Sequence, residues 1–185
     1  MNRIFNKKDI LTIPNFLSLV RLLMIPVIVW LYVKEKNYYA ATAMVFASGI
    51  TDIADGIIAR KCNMVSDFGK ILDPIADKLT QATLIICLSS KYPKMLWLIV
   101  LFAVKEFIMA LLGYITIKSK DSVNSAKWYG KVSTFVLYAS MILMILIPDL
   151  PIEIVNALTL LCAAILSLSL IMYIRFYIKI LCDRS

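Results

Sequence analysis

The sequence contains no histidine, which removes imidazole general bases, serine–histidine nucleophiles and histidine-ligated zinc in one step. Proton chemistry is left to Asp, Glu, Lys, Cys and Tyr. Cysteine is scarce. Cys62, Cys87, Cys162 and Cys182 show no CxxC pairing, so they read as reduced residues facing lipid or core, not as a disulfide framework or a metal site. Low-complexity stretches and internal repeats are absent. A cleaved secretory leader is not expected either, because the first apolar run contains Arg21 and is longer than the roughly 7–15 residues of a signal-peptide core.

What fills the chain is apolar. Of the 185 residues, 61% are hydrophobic and the mean hydropathy is +0.83, whereas soluble domains run at about 45–50% apolar. The composition predicts an all-α integral membrane protein with one domain over residues 1–185. A helix crosses the hydrocarbon with roughly 20 apolar residues, and six stretches qualify: Phe16–Val33, Tyr38–Ile58, Ile71–Ser90, Met95–Ile117, Trp128–Ile147 and Ile152–Ile180. The breaks between them carry Lys, Asn, Gly and Pro. The opening MNRIFNKKDIL reads as a basic interfacial segment, and the net charge of +8 suits an anionic lipid surface with no nucleic-acid partner.

Lys and Arg orient the spans. With the N-terminus inside, Arg60, Lys61, Lys70, Lys118, Lys120, Lys127, Lys131, Arg175 and Lys179 all fall on the inner side. The outer side holds only Lys34, Lys36, Lys91 and Lys94. A multi-pass cell-membrane protein with both termini cytoplasmic is expected.

Against this background the stretch TDIADGIIARKCNMVSDFGKILDPIADK, residues 51–78, carries five carboxylates. A charge at the bilayer centre costs at least ~2.5–3.5 kcal/mol, so acids held there are expected to face a polar cavity and to have a function. Asp52 and Asp55 are three apart near the end of the second span, and Asp73 and Asp77 four apart at the start of the third, so each pair shares a helical face. The 60–70 loop joins these spans at one membrane depth, so the pairs are able to converge, with Gly56 and Gly69 allowing close approach. Pro74 is tolerated if it falls in the first turns of its helix. Crowded carboxylates must be protonated or bind cations; oxygen-only ligation selects Mg²⁺ or Mn²⁺ over zinc. Two such ions are a standard device in phosphoryl displacement. Asp67, outside these pairs, reads as a loop residue or helix cap.

Asp52-x2-Asp55-Gly56-x2-Ala59-Arg60-x8-Gly69-x3-Asp73-x3-Asp77 resembles the signature of the CDP-alcohol phosphatidyltransferase family, with eight specified positions across 26 residues. The resemblance implies transfer of a phosphatidyl group from CDP-diacylglycerol to an alcohol, with CMP released. It implies Asp52, Asp55, Asp73 and Asp77 as ligands of a pair of divalent ions, Mg²⁺ or Mn²⁺, Asp77 also as the base, and Gly56, Ala59, Arg60, Ser66 and Gly69 around the cytidine diphosphate. A homodimer is implied by the family alone.

Asn15, Ser18 and Arg21 recur at three-residue intervals and make a polar stripe on the first span. A buried Arg21 needs an anion: either one of the acids or the donor lipid, and family members have similar residues here lining the donor site. Lys105 and Glu106 are adjacent, and side chains of adjacent residues point apart, so no simple pair is expected. Lys127 and Lys131 form one basic face. With Lys105 they are candidates for a phosphorylated acceptor, although a basic rim is equally what topology demands. Similar proteins using glycerol 3-phosphate often show Gly-Lys followed by a second lysine here; this chain keeps Gly130-Lys131, so the resemblance favours sn-glycerol 3-phosphate as acceptor, while Ser133 in place of the second lysine keeps phosphatidylglycerol as the alternative. A divalent-cation transporter is the competing class, disfavoured because the acids cluster near one face with no ladder across.

Overall fold

The computed structural model describes residues 12–61, 69–120 and 127–182, apart from a few side chains at helix ends. The expected interfacial segment, Cys62, Ser66 and Asp67 lie outside the described residues. Six helices follow in order: α1, Ile13–Val29, running on into a π turn at Trp30–Lys34; α2, Tyr38–Lys61; α3, Gly69–Ser89; α4, Met95–Lys120; α5, Trp128–Leu146; and α6, Ile152–Cys182. Among the described residues there is no strand. Each helix coincides with one apolar run of the sequence, extended by one to three polar or basic residues at several ends.

Five of the six, all but α3, are long and apolar enough to cross a membrane. Their outward faces are consistently greasy: Phe16, Leu23, Trp97, Phe135 and Leu160 are each more than 60% exposed. Contiguous apolar surface of that extent is not tolerated in water and is what lipid contact requires. The chain is a multi-pass membrane protein. α3 falls short because Lys70, Asp73, Asp77 and Lys78 occupy its first half, the same residues that make it chemically interesting.

Two compact units make up the chain, residues 1–87 with 145–148, and residues 88–144 with 149–185. In the first, α1 packs along α2. Ala41, Thr42 and Val45 are nearly inaccessible, and side chains this small let helix backbones approach closely in lipid. Thr12 caps α1 by accepting a hydrogen bond from the Asn15 N–H at 3.4 Å, with Pro14 in the first turn, where its missing donor costs nothing. After Pro26 the helix widens into the π turn and stops at Lys36, whose positive φ of 51° is a left-handed terminator. α3 begins at Gly69, so Pro74 sits in the second turn, one turn deeper than its best-tolerated place.

In the second unit α4 packs along α6. The core is formed by Leu98, Phe102, Leu137, Met141, Val155, Cys162 and Leu166. Cys87 and Cys162 are buried free thiols and Cys182 an exposed one, in keeping with the reading of these cysteines as packing residues.

Candidate active site

The polar stripe of α1 points inward. Asn15, Ser18 and Arg21 are 4%, 0% and 2% exposed, while Phe16, Leu19 and Leu23 between them face out. A fully buried guanidinium must be paired, and Arg21 is paired twice: Nη1 lies 2.6 Å from Asp52 Oδ1, and Nη2 donates to Asp55 Oδ2. The three-residue spacing of Asp52 and Asp55 on α2 thus presents both carboxylates to one planar fork, a geometry lysine cannot match. Asp55 is buried and Asp52 half exposed, so Asp52 forms the open edge of the pair. Arg21 Nε has no hydrogen-bond partner among the described residues.

Ser18, one turn before Arg21, ties in the third helix. Its hydroxyl bonds with Asp73 Oδ1 and lies 3.1 Å from the Pro14 carbonyl oxygen. Asp77, one turn along α3, accepts from Gln81 Nε2 at 2.8 Å and has Lys78 Nζ 3.8 Å away. Arg21 and Ser18, on one face of α1, thus contact Asp52 and Asp55 of α2 and Asp73 of α3. One face of α1 therefore meets both acid-bearing helices.

Four carboxylates against the Arg21 guanidinium and the Lys78 ammonium leave an excess of negative charge. The donor set is oxygen only, which fits a hard divalent cation, and two of the acids already embrace one cationic group. Among the described residues no three acids are drawn together tightly enough to enclose an ion as they stand. Arg21 bridges Asp52 and Asp55, and Ser18 and Gln81 engage the other two. Asp52, Asp55, Asp73 and Asp77 are the residues that would hold metal.

Gln81 was not singled out by sequence reasoning. Its signal was a lone amide, now 1% exposed, one turn beyond Asp77, where an i,i+4 Asp–Gln contact is expected. Gly56 and Gly69 sit at the end of α2 and the start of α3. Ala59 and Arg60 lie on the last turn of α2 with side chains outside the described residues, as is Ser66 altogether.

The candidate acceptor lysines belong to the second unit. Lys105 is 4% exposed, and its Nζ donates to Glu106 Oε1 at 2.7 Å. This corrects the expectation that the neighbours would not pair. Both side chains are long and flexible enough to fold back toward each other, and a lysine buried in apolar surroundings is strongly driven to find an anion. Lys131 is exposed. Lys127 is held at both ends, its N–H donating to the Tyr173 hydroxyl at 3.3 Å and its ammonium standing 4.3 Å over the Phe176 ring. Ser133 is turned inward, donating to the Gly130 carbonyl at 2.9 Å.

Tyr173 reaches α5 because residue 130 is glycine. A Cβ there would collide with the Tyr173 hydroxyl and lie 3.0 Å from its Cζ and 3.1 Å from Cε2, and the ring is pinned edge-on to Tyr129 at 4.5 Å. Gly130→Ala gains up to ~1 kcal/mol of helix propensity, but displacing a buried ring costs about 1–3 kcal/mol. The variant is expected to lower the melting temperature in detergent by several degrees; an unchanged or higher value would show that Tyr173 yields freely.

The family model for CDP-alcohol phosphatidyltransferase matches residues 11–176. A Rickettsia felis protein named CDP-diacylglycerol–glycerol-3-phosphate 3-phosphatidyltransferase is 36% identical over 136 residues, covering 72% of this chain and 75% of the relative. A Mycobacterium tuberculosis protein named probable phosphatidylglycerophosphate synthase is 33% identical over 169 residues, covering 89% and 79%. A Streptomyces coelicolor protein named cardiolipin synthase (CMP-forming) is 29% identical over 143 residues, covering 74% and 66%. The chain spans just under two thirds of that last relative, and only 19% of a longer fusion protein that it also matches.

Proposed function

Because the chain belongs to the CDP-alcohol phosphatidyltransferase family, we propose that it transfers the phosphatidyl group of CDP-diacylglycerol to sn-glycerol 3-phosphate, yielding phosphatidylglycerophosphate and CMP. The observation that supports this reading is the contact of Asp52, Asp55 and Asp73 with the inward face of α1, with Asp77 one turn beyond Asp73 on α3, together with relatives of that name covering most of the chain. Both compact units act as one domain in this reading, which the run of the family match through both supports.

The chemistry follows from the residues. A divalent ion, or a pair, held by the four aspartates would offset the charge of the pyrophosphate. Asp77, the acid of α3 that is 27% exposed, takes the proton of the acceptor hydroxyl. The acceptor oxygen attacks the β-phosphorus, the bond from that phosphorus to the bridging oxygen breaks, and CMP departs. Gln81 holds the Asp77 carboxylate in place. Arg21 keeps Asp52 and Asp55 oriented, and Ser18 does the same for Asp73. Asn15, Ser18, Arg21, Gly56, Ala59, Arg60, Ser66 and Gly69 surround the cytidine diphosphate, and Lys105, Lys127 and Lys131 offer cations to a phosphorylated acceptor. The distribution of Lys and Arg supports a site on the cytoplasmic leaflet of the cell membrane. A homodimer, implied by the family alone, is part of this proposal.

A second reading, cardiolipin synthesis with phosphatidylglycerol as acceptor, is favoured by the Streptomyces coelicolor relative and by serine at position 133. Purified protein with labelled CDP-diacylglycerol decides between them. CMP release with glycerol 3-phosphate and not with phosphatidylglycerol is expected; the converse result would reassign the acceptor.

A further inference from the structure

Between the first turns of α4 and α6 runs a groove of about 380 Å³, and no residue lining it belongs to the candidate active site. The two helices are parallel: the Thr159 hydroxyl reaches the Met95 sulfur at 3.6 Å, and further along both helices Gly113 faces the Tyr177 hydroxyl in the same register. The walls therefore have an order. Lys94 and Asn156 lie at one end, Thr159 and Leu98 follow, and Leu101 and Ala163 close the other end, about 10 Å along at 1.5 Å per residue.

Two of these groups lack protein partners. Lys94 forms no ion pair and the Asn156 carboxamide no hydrogen bond among the described residues. Thr159 is already satisfied, donating to the Val155 carbonyl at 2.8 Å. An amide on a membrane-spanning helix wants an acceptor, and an ammonium at the end of an apolar groove wants an anion. The adjoining Trp97, 79% exposed, is of the type that marks the headgroup level of a bilayer. A smaller recess of about 240 Å³ extends the polar end past Tyr92 and Pro93. At about 380 Å³ the groove is in the size range of small-ligand sites.

We propose that this groove binds one anionic glycerophospholipid, with its phosphate on Lys94, an ester carbonyl accepting from the Asn156 amide, and an acyl chain lying along Leu98, Leu101 and Ala163. The polarity sequence of the walls, cation then amide then hydrocarbon, matches that of the lipid: phosphate, ester, chain. This site is separate from the donor-lipid site of the proposed reaction and does not depend on that reaction.

The test uses the full chain in phosphatidylcholine vesicles doped with phosphatidylglycerol carrying a photoactivatable acyl chain, with crosslinked peptides mapped by mass spectrometry. Labelling is expected to concentrate in residues 97–101 and 160–163 and to persist in excess CDP-diacylglycerol. Lys94→Gln, at an exposed position, should reduce it about fivefold, the contribution of one lysine near a lipid phosphate. Ala163→Phe, which fills the apolar end, should abolish it. Labelling spread equally to Leu168 and Ile171 and indifferent to both substitutions would mean bulk lipid and overturn the proposal. So would displacement by inorganic phosphate, which needs no chain, or crosslinks joining Trp97 of two copies, which would make the groove a subunit contact.

Discussion

Replacing Asp77 by asparagine is expected to reduce CMP release by about 10²–10⁴-fold, the usual contribution of a positioned general base. The substitution keeps the shape of the side chain and leaves an oxygen able to accept from Gln81 Nε2, 2.8 Å away in the native protein. It removes the ability to take up a proton. Folding, followed by the melting temperature in detergent, and binding of CDP-diacylglycerol, followed by equilibrium titration, should survive because Asp52, Asp55 and Asp73 keep their partners on α1. Near-normal turnover would remove Asp77 as the base. Loss of folding together with activity would instead make it a structural residue, as its contacts with Lys78 and Gln81 permit.

Chelation by EDTA is expected to bring turnover to background, with Mg²⁺ or Mn²⁺ restoring it. The reason is electrostatic. Arg21 and Lys78 offset two of the four carboxylates, and two negative charges remain beside apolar helices that screen them less well than water. A cation bound by the folded protein alone should also raise thermal stability, by about 2.7 kcal/mol at a hundred times its dissociation constant. This readout needs no substrate. A chelator-resistant enzyme whose melting temperature ignores Mg²⁺ would contradict the metal site while leaving membership of the family intact.

The six helices were legible in the sequence because a segment in lipid must satisfy its own backbone polar groups, so each apolar run carries its own structural instruction. Their ends moved by only a few residues, as with α3, which starts at Gly69 and not at Ile71. The pairing of acids was equally local, since spacings of three and four residues define a helical face wherever the helix goes. The inward direction of Asn15, Ser18 and Arg21 followed from the same periodicity.

The choice of partner was not local. Arg21 had an anion to find, but whether that was a protein acid or a lipid phosphate depended on a contact 34 residues away, with Asp55. Ser18 meets Asp73 across 55 residues, and Gly130 has its reason in Tyr173 on another helix. Even Lys105 and Glu106, adjacent in the chain, pair because burial leaves the ammonium few alternatives, overriding the simple rule that neighbours on a helix diverge. Periodicity states which side of a helix is polar. Which groups answer each other across the gap is decided by packing, where burying an unpaired charge costs more than bending a side chain to reach its partner.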